Sequence, residues 1–262
     1  MQPDIIPLED EPCDVIAKAM HGLELTTRRL AAMTGLSERD IQSALRGDCD
    51  EEILCKLAAA LHLSAPALIG LPDYRPTVSC PDGLTHFVSP FGHAGVNAYV
   101  ITRGRHAMVF DTGTDAVPVT RFLTDRAMEI DALHITHRHH DHTASIPDFG
   151  KIRIVYPEDC AHGQILLHTS QHRLTALDVS GHLPTAKAYL YEGLTQPVCI
   201  LGDSIFAGSM GKTPNITSYQ RALQTAREHI LTLPDDTVLC PGHGPLTTVK
   251  DEREHNPFLN VV

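Results

Sequence analysis

No apolar run in this 262-residue chain is long enough to span a bilayer. The longest, near Leu57 to Leu71, is interrupted by His62, Ser64 and Pro66, so a membrane anchor is excluded there. The first ten residues, Met1 to Asp10, are acidic and lack the apolar segment of a signal peptide, and a cytoplasmic protein is expected. Seven cysteines are present, an odd number with no C-x-x-C pair. That argues against a disulfide framework and for free thiols in a reducing compartment. Internal repeats and low-complexity tracts are missing too. What remains, 42% hydrophobic and 20% charged residues, describes a soluble globular protein with room for one sizeable domain and a small one.

The densest chemistry lies in His137-Arg138-His139-His140-Asp141-His142, directly after the apolar run Ala132-Leu133-His134-Ile135. The run reads as a buried β-strand, with the polar residues in the loop at its carboxyl end. Alternation puts His137 and His139 on one side of the segment, with Asp141 and His142 turning back under them. Neutral imidazoles with a carboxylate suit zinc, iron or manganese. Four such donors exceed what one catalytic metal needs while it keeps an open position, so two divalent ions are expected.

Four further segments stand in order along the chain: Val109-Phe110-Asp111-Thr112-Gly113, Ser180-Gly181-His182-Leu183-Pro184, Val198-Cys199-Ile200-Leu201-Gly202-Asp203 and Cys240-Pro241-Gly242-His243-Gly244-Pro245. Together with the histidine motif they resemble the metallo-β-lactamase superfamily, over residues from about Leu84 to Val262. The resemblance implies a four-layer αβ/βα sandwich. It assigns His137, His139 and His182 to one metal, Asp141, His142 and His243 to the other, and Asp203 to a bridge between them. Zinc is the expected ion, with iron or manganese as alternatives. A bridging hydroxide would be the nucleophile, and Asp141 would both ligate and orient it. Asp111 is placed beneath the ligand loop.

Five of the seventeen histidines match ligand positions. His140 reads as a solvated spacer and His134 as a core residue of the strand. His93, in the loop before Val96 to Ile101, reads as structural. Cys199 and Cys240 read as core side chains, Tyr189 and Tyr191 as strand residues, and Lys212 as an exposed loop residue.

Residues 1–72 change texture, and a small all-α unit is expected there ahead of the metal domain at 73–262. Val15, Ile16, Ala19 and Met20 make one apolar face. Thr27 to Thr34 form a second helix stopped by Gly35, Ser37 caps a third ending near Gly47, Asp50 caps a fourth, and Ser64 opens a fifth. Leu30 to Ser37, followed by the helix with Lys56-Leu57-Ala58, resembles the helix-turn-helix of phage-repressor type. Six Lys or Arg against twelve Asp or Glu in residues 1–72 would repel phosphate. Arg39, Gln42 and Arg46 face the reading position, but Glu38 and Asp40 lie beside them. A packing or homo-oligomerisation role is expected, with DNA not a partner.

Strands are expected at Thr85–Val88, Val96–Arg103, Ala107–Asp111, Ala132–Ile135, Ile152–Tyr156, Arg173–Leu177, Ala186–Tyr191, Val198–Gly202 and Thr237–Cys240, and helices at Ala116–Asp125 and Ser218–Leu231. Within the superfamily, Gly202 to Thr213, Pro241 to Thr248 and Glu254 to Phe258 are similar to the short glyoxalase II-like hydrolases and persulfide dioxygenases. Thr185 and Pro214 stand where those families usually carry glycine and aspartate. About nineteen residues follow His243, so weak recognition of a glutathione moiety is expected. The function implied is a metal-dependent hydrolase of a thioester or related ester. A mononuclear iron persulfide dioxygenase and a DNA-binding regulator with a metal-containing sensor domain are the alternatives. The partner is a small-molecule substrate, with no membrane involved.

Overall fold

A computed structural model describes residues 6–92 and 95–260. The chain opens with five short helices: α1 (Pro12–Gly22), α2 (Thr27–Thr34), α3 (Glu38–Ala44), α4 (Glu51–Leu61) and α5 (Ala65–Gly70). Side chains stop and start them as the sequence predicts. Thr26, Ser37, Asp50 and Ser64 each accept an N–H of the following first turn, satisfying donors that a helix start leaves open. Gly35 closes α2 in the left-handed region, at φ 72°.

Two sheets follow. The first runs β1 (Leu84–Ser89), β2 (Val96–Arg103), β3 (His106–Phe110), β4 (Glu129–His134) and β5 (Ile154–Val155), in that spatial order. Its first three strands pair antiparallel and its last three parallel. Helix α6 (Val117–Asp125) crosses between β3 and β4, as parallel neighbours require. One turn of helix, α7 (His140–Thr143), follows β4. The second sheet comprises β6 (Gln164–His168), β7 (Arg173–Asp178), β8 (Lys187–Glu192), β9 (Val198–Gly202), β10 (Val238–Pro241) and β11 (Thr247–Thr248), ordered β11-β10-β9-β8-β7-β6. Helix α8 (Ile216–Thr225) continues as a wider turn over Ala226–Ile230, and α9 is Val249–His255.

Strand alternation sorts the core into layers. Tyr99, Ile101, Met108 and Phe110 of the first sheet meet Tyr189, Tyr191, Val198 and Ile200 of the second in one cluster between the sheets. Ala98, Val100, Ala107 and Val109 point the other way, onto Val119 and Leu123 of α6. Cys199, Leu201 and Leu239 leave the opposite face of the second sheet, onto Ala222 and Ala226 of the α8 region. Helix, sheet, sheet and helix make four layers.

Residues Val15, Ile16, Leu30, Ile41, Leu57, Leu61 and Leu68 of the five helices belong to that last cluster. The helical unit therefore buries its apolar face on the same side as α8 and α9. Gly22, at the end of α1, lets α8 approach: a Cβ there would lie 2.4 Å from Cδ2 of Tyr219. Backbone of Ser64 donates to Pro257 O at 2.8 Å.

Strands β6 and β11 and helix α9 lie outside the elements expected from the sequence. Strand β6 is half exposed along its length, so no buried apolar set marks it. Helix α9 is charged, V-K-D-E-R-E-H, and buries only Val249 and Glu252, a face too narrow for apolar periodicity to show. Strand β4 begins three residues before its expected start, at Glu129, because Glu129 and Ile130 pair with β3 while exposed or only partly buried, and Asp131 follows as a bulge.

Candidate metal centre

Strand ends deliver the polar residues. His137 and His139 follow β4, and Asp141 and His142 lie in α7. His182 follows β7, Asp203 follows β9, and His243 follows β10. All seven converge. One ligand atom each from His137, His139, His182 and Asp203 falls within 4.8 Å of the others, and the same holds for Asp141, His142 and His243.

Within the first group His139 Nδ1 lies 3.2 Å from His137 Nε2 and 2.9 Å from His182 Nε2. Asp203 Oδ2 stands 3.5 Å from His182 Nε2 and 3.7 Å from His137 Nε2. Its other oxygen turns to the second group: Oδ1 is 3.2 Å from His142 Nε2 and 3.7 Å from His243 Nε2. Asp141 Oδ2 is 3.2 Å from His243 Nε2 and 3.5 Å from His142 Nε2.

The far side of four of the five rings is held by an oxygen. His142 Nδ1 bonds Asp111 Oδ2 at 2.9 Å, His182 Nδ1 the Lys212 carbonyl at 2.6 Å, and His243 Nδ1 the Gly95 carbonyl at 2.7 Å. His137 Nδ1 meets Thr136 Oγ1 at 3.0 Å, while that hydroxyl donates to Asp111 Oδ2 at 2.7 Å. A carboxylate or carbonyl acceptor fixes the proton on Nδ1 and leaves the Nε2 lone pair turned inward. Four inward lone pairs and two carboxylates crowd one space. His142 Nε2 and Asp203 Oδ1 are buried and have no hydrogen-bond partner among the described residues. Buried polar atoms without partners are rare and costly, and a divalent cation would satisfy both, so the donor set fits a metal in each group.

Electrostatics follow the same division. Burial works against the charge of Asp203, yet His142 and His137 outweigh it and hold the carboxyl well below its usual range. Burial and then the His142 charge push His137 far down, keeping it a neutral imidazole. Burial also lowers His182. Burial opposes protonation of His142, but the carboxylates of Asp203 and Asp111 raise it overall.

Close backbone approach makes the geometry. Gly202 sits at φ 55°, where a Cβ would meet Thr136 Oγ1 at 2.4 Å, and a Cβ on Gly242 would lie 2.2 Å from Asp203 Oδ1. Asn97 Nδ2 donates to the carbonyls of Pro241 and Gly244, both at 2.9 Å, and Tyr99 hydroxyl donates to Pro241 O at 2.7 Å. These two hold the turn that carries His243. Asn97 is absent from the sequence-derived site, although a lone amide in the otherwise buried strand V-N-A-Y-V marks it. Thr136 and the carbonyls of Lys212 and Gly95 left no such mark, because a carbonyl has no residue signature.

The remaining sequence-singled residues fall apart from the cluster. His140 is exposed. His134 is buried against Phe110 and Tyr189, with burial lowering its pKa to about 4. Tyr189 hydroxyl donates to Ile135 O at 2.8 Å, and the Lys212 side chain is exposed. Cys199 and Cys240 are buried core thiols. His93 lies outside the described residues. Among the described residues no helix is long and apolar enough to cross a membrane.

Comparison with known proteins bears on this centre. The metallo-beta-lactamase superfamily matches residues 92–158. The chain is similar to the probable metallo-hydrolase YqgX of Bacillus subtilis, 28% identical over 203 residues, which cover 65% of this chain and 95% of that protein. It is 30% identical over 152 residues to a hydroxyacylglutathione hydrolase of Halorhodospira halophila, covering 53% of this chain and 57% of that enzyme. It therefore spans little more than half the length of that relative. Among solved structures, the protein TTHA1623 in a di-iron-bound form aligns with a TM-score of 0.53 at 23% identity, over 66% of this chain and 100% of that one. With two sheets between helical layers and the ligand-type residues at their strand ends, the chain carries a metallo-β-lactamase superfamily domain around the matched residues, and its relatives include a protein named as a probable metallo-hydrolase.

Proposed function

We propose that this chain is a dinuclear metallohydrolase acting on a thioester or related ester, as the names of its hydroxyacylglutathione hydrolase relatives suggest. The observation that carries the reading is Asp203, with one carboxylate oxygen toward each group of histidines. His137, His139, His182 and Asp203 would hold one ion, and Asp141, His142, His243 and Asp203 the other. Zinc is the expected metal, and the di-iron form of a structural neighbour supports testing iron beside it. When bound, such a pair lowers the pKa of a water to near neutrality and polarises a carbonyl.

The chain's own residues do the remaining work. Asp141, set against both His142 and His243, is the carboxylate placed to hold and orient the proton of the nucleophile. Asp111, Lys212 O and Gly95 O keep three imidazoles in the tautomer that ligates. A thiolate leaves without needing a strong general acid, which suits a centre built from ligands and their supports. A lactone or another thioester fits the same chemistry. A mononuclear iron oxygenase would leave the grouping of Asp141, His142 and His243 without a role.

Protein purified without added metal, analysed for metal and then assayed on S-acylglutathiones, other thioesters and lactones, tests the proposal. Two equivalents with hydrolysis of at least one class is the expected result. Oxygen consumption with glutathione persulfide, with every thioester and lactone untouched, would replace it with the oxygenase reading.

A further inference from the structure

The loop between β9 and α8 reaches the ligand cluster from one side and the N-terminal helices from the other. At its near end, Gly211 N donates to Asp203 O at 3.1 Å and Lys212 O accepts from His182 Nδ1 at 2.6 Å. The fit is tight: a Cβ on Gly211 would lie 2.0 Å from Asp203 O and 3.0 Å from His182 Nδ1. At its far end the loop closes as a narrow turn, with Phe206 and Ser209 exchanging both backbone hydrogen bonds at 3.0 and 3.1 Å. The ring of Phe206 meets that of His243 edge-on, centroids 5.6 Å apart.

Residues before the metal domain hold this turn. Lys18, on α1, donates to the Met210 carbonyl at 2.8 Å and lies 4.9 Å from the Phe206 ring centroid. It is ion-paired with Asp10, whose Oδ2 also accepts from Ser209 Oγ at 2.5 Å. Asp10 is 7% exposed and Ser209 fully buried. Gly208, at φ 70°, packs where a Cβ would be 2.5 Å from Leu71 Cδ1 and 3.2 Å from the Tyr74 ring. The C-terminal segment adds two contacts to the loop's backbone: Glu252 of α9 accepts from Gly208 N at 3.1 Å, and Asn256, just after α9, donates Nδ2 to Ser209 O at 2.8 Å.

An ion pair this far withdrawn from solvent, Asp10 at 7% and Lys18 at 17% side-chain exposure, carries a desolvation cost, and packing of the helices alone does not require it. Its partners are the polar groups of the one loop whose backbone orients His182 and abuts Asp203.

We propose that Lys18 and Asp10 are positioning residues of the metal centre: the N-terminal helical unit clamps the Phe206–Lys212 loop so that Lys212 O sets the ring of His182 and Phe206 sets that of His243. This rests on the metallohydrolase reading and assigns the helical unit a part in it. Losing an outer hydrogen-bonding partner of a metal ligand costs about 10- to 100-fold in metal affinity, and the clamp acts one bond further out.

The test is Zn2+ affinity of the full chain by competition with a chromophoric chelator, together with the visible spectrum of the Co2+-loaded protein. The double variant Asp10→Asn/Lys18→Met removes both charges, so no unpaired buried charge is left behind. Roughly tenfold weaker Zn2+ binding and an altered Co2+ spectrum are expected, with a smaller loss in Ser209→Ala should the double variant fold poorly. Lys56→Met, which removes a cation paired on the surface with Glu52, serves as the control and should change neither. A fall in melting temperature with wild-type Zn2+ affinity and spectrum would make the pair merely structural and overturn the proposal. A wild-type chain that binds no Zn2+, Fe2+ or Mn2+ would instead overturn the metallohydrolase reading and this one with it.

Discussion

His142 Nε2 and Asp203 Oδ1 stand 3.2 Å apart, both buried, without the alignment of a hydrogen bond and without another partner among the described residues. His142 is meanwhile held from behind by Asp111 at 2.9 Å. A ring fixed on one nitrogen and unsatisfied on the other is the arrangement of an imidazole waiting on a cation.

Metal analysis of the chain should give about two equivalents of divalent ion. Asp203→Ala should lose both, because its two oxygens face the two groups separately. Full occupancy in that variant would remove the shared-ligand assignment.

Gly242→Ala puts a methyl 2.2 Å from Asp203 Oδ1 and 2.7 Å from His142 Cε1. Metal content should fall from two equivalents toward one while the far-ultraviolet circular dichroism is kept. Gly70→Ala, with nothing within 4 Å of the added carbon, should bind as the wild type does. Unchanged stoichiometry in Gly242→Ala would mean that this face of Asp203 is not used.

Replacing Asp141 by Asn should lower hydrolysis by about a thousandfold, since a carboxylate that ligates and orients at once has no amide substitute. The measurement is kcat at saturating metal, with the fold checked by thermal unfolding. A variant within a few-fold of wild type would show that Asp141 is not the orienting group.

Glu252 is fully buried, and burial raises its carboxyl from the ordinary 4.5 to about 7. The folded chain thus binds this proton more tightly than the unfolded one, and the associated stability, complete below about pH 4.5, is lost as pH rises to 7. The difference is about 3 kcal/mol, from 1.36 kcal/mol for each pH unit. Glu252→Gln can donate to Tyr74 and Thr247 and accept from Gly208 and Asn256, the same four partners. Denaturant unfolding should therefore show the variant gaining on the wild type between pH 4.5 and 7, then running parallel above it. A difference that stays flat across that window would mean the carboxyl titrates normally.

Helix α3 exposes Glu38 beside Arg39 and Gln42, with Arg46 exposed just after it, and the acidic neighbour argues for a proposed role of residues 1–72 in packing or self-association. The intact protein should show no sequence-selective, salt-sensitive shift of DNA fragments, and sedimentation at several concentrations reports whether it self-associates. A selective shift weakening steeply with salt would promote the regulator reading instead.

The chain by itself fixes the ligand-type residues and most of the elements that carry them. H-x-H-x-D-H after an apolar strand, the caps Ser37 and Asp50, and the alternation through Val96 to Arg103 are local signals, readable because each depends on neighbours a few residues away. Tertiary structure alone decides how the pieces meet. That one oxygen of Asp203 faces each group, that Gly242 leaves room beside it, and that Asn97 holds the turn of His243 from more than 140 residues away are relations between distant segments. Local periodicity carries no record of such distances. The clearest case is the pair Lys18 and Met210, 192 residues apart. In the sequence Lys18 is a charged residue on an amphipathic helix, and only the folded loop gives its ammonium a carbonyl to hold.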